Sequence, residues 1–273
     1  MKLYLFIFVL LLLNSCHDKI NLELTDYDRK ELVAEGVFSP VNEFQRVKIT
    51  WTTNLGELTE QFADSVKLTV DTLGGMVNFT YLDSGVYQSD VPFAFIPLNY
   101  LKIELSRDGV IHSVVTQMPA DLNISAFSIT PDNSLYSPFK NMVLKINSNA
   151  VQYFRYDLFS LDKLQLPDTV WTNLNIPVYQ TVKVATGIQS ITIDDQSQNV
   201  LGIQGWSFDS SQVIKIVTHT LSPDVATYLY QLKTFATAEP KGARYENPPY
   251  YFSNGAYGLV YGTYSDTAIC VVQ

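Results

Sequence analysis

The feature that most limits the fold of this chain is a hydrophobic period of two, which sets in at Leu32 and returns along the sequence. Val47, Ile49 and Trp51 alternate with Lys48, Thr50 and Thr52, Val66, Leu68 and Val70 with Lys67, Thr69 and Asp71, and Leu101, Ile103 and Leu105 with Lys102, Glu104 and Ser106. Successive side chains of an extended strand leave on opposite faces, so each run has one apolar face that a second layer must cover. Turn-forming clusters separate the runs at Asn54-Leu55-Gly56, Gly74-Gly75, Asp83-Ser84-Gly85 and Arg107-Asp108-Gly109. Short strands punctuated in this way predict an immunoglobulin- or fibronectin-like β-sandwich over residues 32–118.

Pro119 and the polar residues after it mark the expected boundary to a second, β-rich domain over residues 119–273. Strand patterns resume there at Met142, Leu144 and Ile146, then over Gln152–Leu161, Val178–Thr186, Ile188–Ile193 and Gln212–Thr220. Within Tyr153–Phe159, the alternation puts Phe154, Tyr156 and Leu158 on one face and Arg155 and Asp157 on the other, which reads as an exposed same-face charged pair. One helix is expected among these strands. Ser222-Pro223-Asp224 offers an N-cap, a proline at the first helical position and an acid in the first turn, and the stripe of Val225, Leu229 and Leu232 carries the helix to about Ala236. The fold class expected is therefore mainly β, a sandwich followed by a second β-rich domain with one helix.

Composition excludes several alternatives. A hydrophobic share of 47% with 13% aromatic residues is more apolar material than a disordered chain carries. The formal net charge of −9 argues against nucleic acid, whose affinity depends on neutralising phosphates, and against a polybasic membrane patch.

The amino terminus gives a location. Lys2 precedes the apolar run Leu3–Leu13, and Leu13-Asn14-Ser15-Cys16 closes it, a layout of secretory-leader length and too short to span a bilayer. An apolar residue three places before a cysteine, with a serine directly before it, resembles the lipobox of bacterial lipoproteins. That resemblance implies removal of residues 1–15 and acylation of Cys16, with residues 16–31 as a polar tether. Losing Lys2 would bring the charge to 17 minus 27, or −10. Several acyl chains, at about 0.8 kcal/mol per buried methylene, would anchor the chain firmly. With Cys16 lipidated, Cys270 has no internal partner and reads as a small buried hydrophobe.

The segment from Glu246 to Tyr264 is rich in proline, glycine and tyrosine. Tyr250, Tyr251, Tyr257, Tyr261 and Tyr264 are candidates for a ligand or partner surface, since exposed tyrosines make rigid amphipathic contact area. The alternative is a closing hairpin whose tyrosines pack on the core.

Several stretches together resemble the Bacteroidota lipoprotein family with the DUF4249 domain. They are the lipobox, Glu31-Leu32-Val33-Ala34-Glu35-Gly36, Ser84-Gly85-Val86-Tyr87 followed by Asn99–Leu105, the strand ending Val114–Pro119, and the terminal Asn247-Pro248 to Tyr264. The chain departs from that family at Ile96-Pro97-Leu98-Asn99 and at Asn247-Pro248-Pro249. The resemblance implies an outer-membrane lipoprotein on the cell surface or the periplasmic face, acting as a non-enzymatic accessory to a TonB-dependent barrel, with no cofactor. A glycan- or protein-binding adhesin is the first alternative.

The second alternative is a hydrolase with an unfamiliar site, for which the residues offer little. His17, His112 and His219 form no spaced metal-ligand set, and no nucleophile elbow, phosphate loop or dinucleotide fingerprint is present. Asp194-Asp195 and Asp26-x-Asp28 could hold calcium or act as an acid–base pair, but adjacent carboxylates on a strand point to opposite faces and loop carboxylates are usually solvated. The sequence thus assigns no catalytic residue and no metal ligand.

Overall fold

The computed structural model describes residues 30–53, 59–92, 95–131, 140–162, 171–173, 181–193, 212–237 and 251–272. The chain divides into Met1–Lys30 and a compact unit, Glu31–Gln273. Cys16, Tyr250, Asp26, Asp28, Asp194 and Asp195 lie outside the described residues.

Eight strands of the first part run in order as β1 (Leu32–Phe38), β2 (Arg46–Trp51), β3 (Gln61–Phe62), β4 (Lys67–Thr72), β5 (Gly75–Asp83), β6 (Val86–Ser89), β7 (Tyr100–Arg107) and β8 (Val110–Gln117). The period of two becomes burial directly. Leu101, Ile103 and Leu105 are buried on β7 while Lys102 faces solvent and pairs with Glu104 at 2.7 Å. Each fully buried Leu, Ile or Val contributes about 1.5–3 kcal/mol.

The predicted turns at Ser84-Gly85 and Asp108-Gly109 are two-residue hairpin loops with both residues at positive φ, the conformation whose twist suits a tight hairpin. Gly85 also needs its missing side chain. A Cβ there would sit 2.6 Å from the Ile49 carbonyl oxygen, across the backbone bond from Ile49 N–H to Gly85 O.

A single strand turns the sheet into two layers. The first half of β5 pairs with β4 and the second half with β6, the exchange falling at Phe79. β1, β2 and β6 thus lie on one side and β4, β7 and β8 on the other, and their inner faces share one core. Phe38 of β1 meets Phe79 at 5.9 Å between ring centroids, and the Arg107 guanidinium of β7 lies 4.3 Å over the Trp51 ring of β2. Tyr87 fastens a connection beneath this core, its hydroxyl donating to Ala63 O at 2.7 Å and accepting from Val66 N–H at 3.1 Å.

The second sandwich is built from β9 (Leu122–Pro131), β10 (Lys140–Ser148), β11 (Gln152–Asp162), β12 (Thr172–Asn173), β13 (Val182–Val184), β14 (Gly187–Ile193) and β15 (Gln212–Leu221), followed by helix α1 (Pro223–Thr237), β16 (Tyr257–Gly262) and β17 (Ser265–Val271). One sheet runs β14-β10-β9, the other β12-β11-β15-β17 with β13 also on β11. Met142, Leu144 and Ile146 of β10 face Phe154, Tyr156 and Leu158 of β11 in a second core. The expectation of a mainly β chain, a sandwich first and a β-rich second part with a helix, is met. The helix begins at the predicted Pro223 and buries Val225 and Leu229.

Residues 119–273 do not stay together as one body. β16 leaves the second sandwich and pairs parallel with β1, Val33 opposite Tyr257 and Phe38 opposite Gly262, and Val260 joins the first core. Parallel partners cannot be joined by a tight hairpin, and β1 and β16 are far apart in the chain, with every other described element but β17 between them. The pairing covers the edge of β1, and open edges are a liability. Gly258 permits the approach. Its φ is +100°, and a Cβ there would overlap the Ala34 carbonyl oxygen. The edge of β8 is covered differently, by the 3₁₀ turn Ser253–Gly255. Ser113 N–H donates to Ser253 Oγ at 2.9 Å and Asn254 Nδ2 to Ile111 O at 2.7 Å.

Candidate functional site

Among the described residues, the terminal tyrosines do not form an exposed surface. Tyr257 and Tyr261 are buried, at 8% and 5% exposure, and Tyr251 and Tyr264 are half-buried. The reason is that β16 is covered on both faces. Val260 points into the first core, and Tyr261, two strand positions from Leu259, points the other way into a cluster with Leu221, Val225 and Leu229. A strand buried on both faces needs large apolar bodies throughout, and tyrosine supplies them. Tyr251 packs on Tyr228 of α1 at 4.8 Å between centroids. Burial pushes the Tyr251 hydroxyl well above its ordinary range and raises that of Tyr261. These residues join the two sandwiches.

Polar bonds complete the junction. Thr220 N–H donates to Tyr264 O at 2.9 Å, Thr263 Oγ1 to Thr220 O at 2.8 Å, and Thr263 N–H to Phe38 O at 2.8 Å. Thr116 Oγ1 of β8 donates to Asp224 Oδ2 in the first turn of α1 at 3.0 Å. Backbone and side chains of both sandwiches thus meet around one short stretch of chain.

Beside this junction, the outward face of β11, β15 and β17 carries the candidate site. The register places Arg155, His219 and Ser265 side by side across the three strands. His219 Nε2 lies 2.9 Å from Asp157 Oδ2, and His219 Nδ1 lies 2.9 Å from Ser265 Oγ. The hydrogen bond from His219 holds the Asp157 carboxyl below its ordinary value, with the Arg155 charge assisting against desolvation. An ionised carboxylate only accepts, so Nε2 carries its hydrogen toward Asp157, and in the neutral ring Nδ1 is left as an acceptor for the Ser265 hydroxyl. Asp157 and His219 are partly exposed and Ser265 is exposed.

Four residues along β15 from His219 and on the same face, Lys215 Nζ sits 4.5 Å over the Phe159 ring and 4.4 Å over the Trp171 ring. Ile269 and Val271, on the outward side of β17 with Ser265, are 58% and 47% exposed. The face therefore offers a polar row, a cation held between rings, and an apolar strip along one strand.

The sequence reading recognises Arg155 and Asp157 as sharing a face but misses their partners, which lie on strands far away in the chain. Strand phase was the available signal, since His219 and Ser265 also fall on outward positions. Their register against β11 was not available. Cys270 is a free thiol packed against the second core. His112 lies by Ser253 at the β8 edge, its Nδ1 3.2 Å from Ser253 O. Among the described residues no group of three or more His, Cys, Asp or Glu is placed to hold a metal, and no helix is long and apolar enough to cross a membrane.

No family model matches the chain, and no curated protein matches it. Among solved structures, a DUF4785 family protein from Legionella pneumophila is 11% identical with a TM-score of 0.26, the likeness covering 68% of this chain and 51% of that one. Escherichia coli alpha-2-macroglobulin activated by porcine elastase is 12% identical with a TM-score of 0.24, covering 70% of this chain and 18% of that one. The chain thus spans about half the length of the first and under a fifth of the second.

Proposed function

We propose that this protein is a lipid-anchored accessory of the outer membrane, held by acylated Cys16 and partnered with a TonB-dependent barrel in ligand capture or uptake. The observation that carries the reading is the lipobox-like Leu13-Asn14-Ser15-Cys16 behind an apolar run of leader length. The likeness of the mature segments to the DUF4249 lipoproteins supports the choice of partner. The compact unit begins at Glu31, which leaves the polar stretch after Cys16 to act as a tether.

The body suits such a role mechanically. A strand from the C-terminal part completes the first sheet, so the sandwiches are joined by backbone pairing and a shared aromatic cluster rather than by a free linker. A partner gripping one sandwich would therefore move the other with it. The adhesin alternative keeps less of its stated surface, because Tyr257 and Tyr261 are packed inside and Tyr251 and Tyr264 are half-buried, Tyr250 lying outside the described residues.

Metabolic labelling with radioactive palmitate tests the anchor. Label is expected in the wild-type chain and absent from Cys16→Ala, which should also leave the membrane fraction. Recovery of a barrel protein in near-equal amount from native membranes tests the partner. An unlabelled wild-type chain, with Cys16→Ala fractionating unchanged, would end the proposal.

A further inference from the structure

We propose that Ser265 is a nucleophile toward aliphatic acyl esters, activated by His219 as general base and with Asp157 as the positioning residue. This goes beyond the accessory reading and does not depend on it. The first support is geometric. Ser265 Oγ to His219 Nδ1 and His219 Nε2 to Asp157 Oδ2 are both 2.9 Å, inside the range in which a base can take a hydroxyl proton and a third group can orient that base. The order of nucleophile, base and carboxylate matches the serine hydrolase logic, with the two ring nitrogens exchanging roles.

The second support is rigidity. The three residues stand on three adjacent strands in continuous antiparallel register, and sites built on strands hold their geometry better than sites on loops. The third is access together with a seat for the acyl group. Ser265 is exposed and lies on the same outward side of β17 as Thr267, Ile269 and Val271, whose exposed surface runs away from the hydroxyl along the strand. A short aliphatic acyl chain lying on that strip would bring its carbonyl to Ser265.

The reaction balances without a co-reactant other than water. The Ser265 hydroxyl proton passes to His219 Nδ1 as Oγ bonds to the ester carbonyl carbon. The carbon–oxygen bond to the alcohol then breaks, and the leaving oxygen takes the proton from Nδ1. Water attacks the acyl-Ser265 ester, giving its proton to Nδ1. The carboxylic acid leaves and Ser265 recovers its hydrogen. Asp157 stays ionised throughout and fixes the ring.

The test uses the full detergent-solubilised chain with a fluorophosphonate probe and with p-nitrophenyl butyrate. The probe is expected to label Ser265, located by peptide mass, and Ser265→Ala should abolish that label while keeping the wild-type unfolding midpoint. His219→Gln should slow both labelling and p-nitrophenolate release by about 10²-fold or more, the usual scale of general-base assistance. Asp157→Asn should slow them less and move the acid limb of the rate–pH profile to lower pH, which a purely structural carboxylate would not do. Wild-type labelling no faster than that of Ser265→Ala, or label spread over other serines, would overturn the proposal. It would leave the accessory reading untouched, since palmitate labelling reads a different residue.

Discussion

Truncating Tyr261 to alanine tests the burial of the tyrosine-rich strand. The side chain is 5% exposed and lies in the cluster with Leu221, Val225 and Leu229. Removing an aromatic ring from such a site costs its transfer free energy plus the cavity left behind, about 3–5 kcal/mol for Phe or Trp to Ala. The hydroxyl lies beside the Arg155 charge, and a net hydrogen bond there would add only about 1 kcal/mol. An expected loss of about 3–5 kcal/mol follows, the hydroxyl's share being offset by the polar group no longer buried. Tyr261→Phe should recover most of it. Leu73→Ala, at a residue 70% exposed, should change stability by no more than about 0.5 kcal/mol. Urea unfolding followed by fluorescence reads all three, with a single transition expected because β16 ties both cores together. A Tyr261→Ala loss below about 1 kcal/mol at an unchanged slope would refute the seam, since only an exposed tyrosine could be removed so cheaply.

Two further outcomes follow from the same structure. Gly258→Ala should destabilise the chain by more than about 2 kcal/mol, because a left-handed backbone angle costs about 1–2 kcal/mol for an L-residue and the new Cβ would overlap Ala34 O; a wild-type urea midpoint would contradict the parallel pairing of β16 with β1. Asp157 has a folded pKa below its unfolded value, so its contribution is present above the unfolded pKa and lost as pH falls through the folded one. Asp157→Asn should therefore flatten the acid limb of the stability–pH curve, by under about 1 kcal/mol because the pair is partly exposed. An acid limb identical to wild type would show that Asp157 does not hold His219 in solution.

What the sequence determines by itself is local. The alternation of Val47-Ile49-Trp51 and Leu101-Ile103-Leu105 sets which side chains turn inward, because face follows from strand period alone. Asp83-Ser84-Gly85 and Arg107-Asp108-Gly109 specify their hairpins through the positive φ that glycine tolerates, and Ser222-Pro223-Asp224 starts α1 through cap chemistry. Those signals act over a few residues, so no tertiary information is needed to read them.

Only the tertiary structure decides which strands become neighbours. Nothing near Phe79 announces that β5 exchanges partners there, and nothing near Tyr257 announces a return to β1 at the far end of the chain. The tyrosines of β16 look like a recognition surface because their composition suits either a binding face or a doubly covered strand. Their burial was settled by the need to cover the edge of β1 and the apolar stripe of α1 together. The Arg155–His219–Ser265 row likewise arises from register. Strand phase puts each of the three on an outward face, but bringing Asp157, His219 and Ser265 within hydrogen-bond reach requires β11, β15 and β17 to align over a shared core. That alignment is set by how Phe154, Tyr156, Ile214 and Ile216 fill the second sandwich, a packing condition spread over residues far apart in the chain.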